Sequence, residues 1–222
     1  MQGYIDAVTA HPDTKRLGGV LRAIVGAPAL HARFVNTLSR MEYIGVRKML
    51  KSRRSERMDL DGLQHMLDEG VHALRLKKAA TALGSAAGVD VSTFAEPHTL
   101  AGSAGEAYFQ ALDHRAEDLV ADLPEAVRAE ANYLLTSAVI EVRAQVFYPL
   151  YDSCLTEGRA GFSVAAITKD EDRHLSEMKD GLARVMDNWP ARLEAVLSAE
   201  QTLFGGFLDA VEMALGAARR AA

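Results

Sequence analysis

Two Asp-Glu-x-x-His runs, Asp68-Glu69-Gly70-Val71-His72 and Asp170-Glu171-Asp172-Arg173-His174, lie inside stretches whose apolar residues otherwise recur at helical spacing. A glutamate and a histidine three residues apart on an α-helix are separated by roughly 60° around the axis and roughly 4.5 Å along it, so both can reach one metal ion. One such run is common by chance on a charged helix surface. Two, each preceded by a lone glutamate on an apolar stripe at similar separation (Glu42 and Glu141), restrict the chain to folds that gather four helices around one polar centre.

The remainder of the sequence fits that restriction. Alternating β-branched runs are missing and only six prolines interrupt the chain, so the reading is all-α. Pro28 suits a first helical turn and opens a helix to about Arg57, with Val35, Leu38, Glu42, Gly45, Val46 and Met49 on one stripe. A second helix, from about Asp61 to Leu83 before Gly84, aligns His65, Glu69, His72, Leu76 and Ala79. Gly, Ser, Thr and Pro dominate from Gly84 to Gly105, which predicts a long crossover or lid, and a helix follows from about Glu106 to Asp122.

Pro124 opens the next helix, which carries Leu134, Leu135, Ala138, Glu141, Val142, Gln145 and Tyr148 on to about Leu155, with Pro149 expected to kink or end it near Tyr148. Another helix, from about Ser163 to Asp187, aligns Ile167, Glu171, His174 and Met178. A last one, Pro190 to about Leu215, has no comparable buried polar set. The expectation is one domain over 1–222, with its polar core on helices between about 28 and 187.

An unpaired carboxylate inside a helical core costs several kcal/mol, so Glu42, Glu69, Glu141 and Glu171 require compensation. Two divalent cations balance four carboxylates, and His72 and His174 supply one imidazole each. Carboxylate and imidazole donors suit iron or manganese. The lone Cys154 excludes an internal disulfide and a thiol redox pair, so electrons for any redox reaction come from an external donor. Hydrophobic residues at 49% allow a sizeable core. The net charge of -5 argues against nucleic acid as main partner, although Lys48 to Arg57 is locally basic. No basic leader with an apolar run and no span-length apolar stretch are present, which leads us to expect a cytoplasmic protein without membrane contact.

The ordered set Glu42, Glu69/His72, Glu141, Glu171/His174 resembles the ferritin-like di-iron carboxylate bundles, in which two helices each give one Glu and two give Glu-x-x-His. The resemblance implies that Glu69 and Glu171 bridge two irons and carry the chemistry, that Glu42 and Glu141 are terminal, and that His72 and His174 bind one metal each. It also implies that Asp170 holds His72 and Asp68 holds His174. His65, one turn before Glu69, is a candidate pocket residue, with core packing or exposure as its plain alternative. Gln145 and Tyr148 are candidates to hydrogen-bond ligands or substrate.

Leu76 stands where the radical subunit of ribonucleotide reductase has a tyrosine, the Cys-rich domain of rubrerythrins is absent, and storage ferritins have a tighter central connection. The resemblance therefore implies an oxygenase or hydroxylase, similar to the aldehyde-deformylating oxygenases, acting on dioxygen and a small organic substrate, with a homodimer admitted as its assembly. A ferroxidase or iron-handling protein, a manganese catalase and a tRNA-modifying hydroxylase are the alternatives; the last would use Arg53 and Arg54 near the site entrance.

Overall fold

Asp59 starts the helix that carries the first Asp-Glu-x-x-His run, its side chain accepting a hydrogen bond from the Gly62 amide at 2.9 Å. Gly88 ends it in the left-handed conformation, φ 68°, which glycine adopts without the clash a Cβ brings. The structure is a computed structural model that describes residues 1–52 and 58–221. Among these residues it consists of α1 (Gln2–Ala10), α2 (Pro12–Val25), α3 (Pro28–Ser52), α4 (Leu60–Ala87), α5 (Gly102–Leu119), α6 (Glu125–Glu157), α7 (Ala165–Val185) and α8 (Trp189–Ala221), with one 3-10 turn at Glu96–His98. There is no strand among them, and no helix long and apolar enough to cross a membrane.

Four helices gather the glutamates and histidines: α3 packs mainly on α4, and α6 mainly on α7. Two apolar clusters lie on either side of the polar layer. One includes Leu38, Leu76, Tyr148 and Ile167; the other includes Met49, Met66, Val142, Leu175 and Met178. α3 and α7 run from the first cluster to the second, and α4 and α6 run back, so each pair is an antiparallel hairpin. α4 and α6 thus run the same way, and a long crossover through α5 has to join them. α5 packs on α8 and borders α3 and α6, while α1 and α2 pack on α6.

The structure changes several boundaries. Residues 2–25 form two helices that the sequence reading did not separate out. Gly84 does not end α4. A Cβ there would lie 2.8 Å from Val91 and 2.9 Å from the Val89 carbonyl, so this glycine is a close-packing position inside a longer helix. The connection after α4 is a strap and not a lid: Asn36 donates to the carbonyls of Thr93 and His98, Lys77 to that of Val91, and Thr37 to that of Leu100, all at 2.6–2.8 Å. Pro149 leaves α6 unbroken, since it sits on the exposed side while Phe147, Tyr148 and Tyr151 hold the flanking turns in the core. The basic run reaches Ser52 in α3; Arg53 and Arg54 lie outside the described residues.

Candidate metal centre

Glu42, Glu69, His72, Glu141, Glu171 and His174 come from four helices and converge on one buried layer. Their donor atoms form two groups, each within 4.8 Å: Glu42, Glu69, His72 and Glu171 in one, and His65, Glu69, Glu141 and His174 in the other. Glu69 belongs to both. Glu171 also spans the layer, with Oε2 2.8 Å from His174 Nδ1 and Oε1 3.3 Å from His72 Nδ1. Gly45 makes room on α3 for Glu69, because a Cβ there would lie 3.0 Å from its Oε2.

Each motif histidine turns one ring nitrogen outward to an aspartate and the other inward to the glutamates. His72 Nε2 lies 3.1 Å from Asp170 Oδ2, which leaves Nδ1 facing Glu42 at 3.8 Å and Glu171. His174 Nε2 lies 3.4 Å from Asp68 Oδ2, and its Nδ1 faces Glu171, Glu69 and Glu141. Each motif aspartate thus meets the histidine of the opposite motif. Arg173 binds both Asp68 and Glu177, tying this outer contact to the surface of α7.

His65 falls at the centre and not at the edge of a pocket. It is 1% exposed, its ring stacks on His174 with centroids 3.8 Å apart, and its Nε2 lies 3.4 Å from Glu69 and 3.3 Å from Glu141. The signal was in the sequence, since His65, Glu69 and His72 share a row on α4; which neighbour that row meets depends on α6 and α7. Tyr148 reaches the centre as well, its hydroxyl donating to Glu42 Oε1. Gln145 does not reach the pocket: it turns to α7 and donates to the Thr168 carbonyl at 3.5 Å. Four residues advance a helix by roughly 40°, which carries Gln145 to the α7 side of Glu141, whereas Ala144 lies on the opposite side and lines the cavity.

Electrostatics show a site short of positive charge. Burial, then repulsion by neighbouring carboxylates, raises Glu42 and Glu141 well above the usual carboxylate range and Glu69 to about 8. For Glu171 burial acts the same way, but hydrogen bonds with His174, His72 and Glu141 outweigh it and hold the carboxyl low. His72 also resists burial: its contacts with Glu171 and Glu42 raise it to about 10. Burial, with His174 alongside, lowers His65 to about 3, so its ring is neutral.

A cavity of about 270 Å³ adjoins the centre. Glu42, His65, Glu69, Glu141, Glu171 and Tyr148 line its inner end; Leu38, Met41, Ile44, Ile140, Phe147 and Phe207 form much of its apolar wall. Arg47, Lys48 and Lys51 border it, with Lys48 bound to Asp113. The sequence reading missed a buried polar set in this wall, because it assigned none to the last helix. Glu200 of α8, fully buried, accepts two 2.7 Å bonds from Arg143 and one of 2.7 Å from Tyr108. No family model, curated protein or solved structure matches this chain.

Proposed function

We propose that the chain is a ferritin-like bundle holding two iron ions, or two manganese ions, at this centre, and that it uses dioxygen to oxidise or hydroxylate a small organic substrate. One observation carries the reading: two buried carboxylate and imidazole groups share Glu69 and adjoin an apolar cavity. The order of helix directions, with one long crossover between two antiparallel hairpins, is compatible with such a bundle.

The residues fit the metals. His72 Nδ1 is buried, makes no well-formed hydrogen bond and faces the Glu42 and Glu171 carboxylates, and a buried imidazole nitrogen so placed is costly unless a cation takes its lone pair; His65 turns its Nε2 to Glu69 and Glu141 in the same way. Burial and mutual repulsion raise three of the four carboxylates, Glu42, Glu69 and Glu141, and the four together match the charge of two divalent ions. Oxygen and nitrogen donors without thiolate favour iron or manganese. Glu42, Glu69, His72 and Glu171 would hold one ion; Glu69, Glu141, His174 and His65 would hold the other.

When bound, a ferrous pair supplies electrons and Lewis acidity toward dioxygen. The chain does the rest. Asp170 and Asp68 fix the rings of His72 and His174 through their far nitrogens. Tyr148 positions Glu42. Leu38, Ile44, Ile140 and Phe147 exclude water and hold the apolar body of a substrate small enough for the cavity, which is just below the usual ligand-pocket range. An external donor returns the electrons, since Cys154 has no thiol partner.

Anaerobic titration of metal-free protein with ferrous iron, followed by admission of oxygen, tests the reading. It predicts saturation near roughly two irons per chain, rapid oxygen consumption, and a weakened second equivalent in His65→Gln. Uptake far beyond two would replace it with iron storage, oxygen release from peroxide by the manganese form would replace it with catalase, and uptake of neither metal would remove it.

A further inference from the structure

We propose that the outer face of α4 is a self-association surface on which a second copy of this chain docks antiparallel to the first. The face opposite the His65, Glu69 and His72 row carries Leu60, Leu63, Leu67, Val71 and Leu74, which are 78%, 44%, 58%, 41% and 52% exposed. Scattered exposed apolar residues are ordinary, but five in one row over about 21 Å of helix are not. Leu60, Leu67 and Leu74 are spaced by seven residues, with Leu63, Gly70 and Val71 between them, the spacing with which helices mesh side chains along a seam.

The row widens onto α3. Ser39 donates to the Ala73 carbonyl at 2.7 Å, so this side of α3 borders α4. Tyr43 and Leu50 continue the Ser39 row at helical spacing and are 46% and 62% exposed. Apolar residues on two adjacent helices offer a broader face to a second copy than one helix would.

Charge and shape select a second copy in antiparallel orientation. Exposed Asp61 lies in the first turn of α4, to one side of the leucine row, and exposed Arg75 and Lys78 lie in the second half of the helix. Antiparallel pairing about a twofold axis near Gly70 and Val71 brings Lys78 of each copy toward Asp61 of the other and opposes the helix dipoles favourably, whereas parallel pairing stacks like charge on like. Gly70, beside that axis, has nothing within 4 Å of where a Cβ would stand, so two backbones can approach closely there. Each copy then packs Leu67 against Leu74 and Val71 against Gly70 of its mate, with Leu60 and Leu63 toward the ends of the seam, which also braces the helix that carries Glu69 and His72 from behind.

Sedimentation equilibrium of the full chain, with cross-linking of single-cysteine additions, tests this independently of metal content. The expected mass is twice 24.0 kDa. Val71→Cys, beside the axis, links to itself under mild oxidation; Leu60→Cys, far from the axis, does not, and buried Cys154 does not compete. Leu67→Glu raises the dissociation constant by roughly 100-fold or more with helix content unchanged, because each dimer loses two leucines and gains two charges at the seam. Lys78→Glu weakens the dimer and Asp61→Lys in the same chain restores it. A monomeric wild type, a dimer indifferent to Leu67→Glu, or equal linking through Leu60→Cys and Val71→Cys would overturn the proposal.

Discussion

His31 illustrates what burial does to one residue outside the centre. Its Nε2 meets the Tyr151 hydroxyl at 2.7 Å, its ring stacks on Phe162, and burial lowers it to about 4. The unfolded chain takes up this proton as pH falls through about 6.5, while the folded chain resists until about 4, so the stability held above 6.5 is lost toward acid. Between pH 7 and 4.5 this one group removes roughly 2–3 kcal/mol. His31→Gln should flatten that part of the profile in urea denaturation, and equal acid slopes for both proteins would refute the assignment. At this scale the sequence was legible wherever a residue type had one purpose in a helix interior: Glu42, Glu69, His72, Glu141, Glu171 and His174 all fall in the polar layer. It was not legible for His65 and Gln145, whose neighbours belong to other helices.

Among the elements, α8 was read as a plain apolar helix, yet Glu200 anchors it to α6 through Arg143 and to α5 through Tyr108. Arg143 also lies over the Phe204 ring at 4.0 Å. Removing the carboxylate strands a buried cation, so Glu200→Ala should cost about 3–5 kcal/mol, whereas replacing both partners in Arg143→Met/Glu200→Leu should be much closer to neutral. Chemical denaturation of the single and double variants checks this; equal losses would mean that the pair is not coupled. Helix boundaries were misread for a related reason. Gly84 and Pro149 break helices in isolation, but Gly84 is required by Val91 and Val89, and Pro149 is carried by the core contacts of the turns around it.

Across the whole molecule, the candidate centre draws donors from α3, α4, α6 and α7, so an ion held there would link its binding to folding. Manganese at a hundredfold excess over its dissociation constant should stabilise the fold by about 2.7 kcal/mol per ion, which for a chain of this length raises Tm by roughly 5–10 °C per ion. A chelator should reverse the rise; an unchanged Tm would mean that no ion binds the folded centre. The period of apolar residues and the placement of charge within it were enough to read an all-helical chain with four carboxylates and two histidines facing one layer, because the helix repeat and the cost of unpaired charge are local or summed quantities. Tertiary structure alone decided that His65 stacks on His174, that the cavity opens beside Ala144 and not Gln145, that Glu200 meets Arg143, and that the leucine row of α4 stays uncovered. These depend on which helices become neighbours and at what rotation, and a one-dimensional pattern holds the angle of a residue about its own helix but not the identity of what that angle faces.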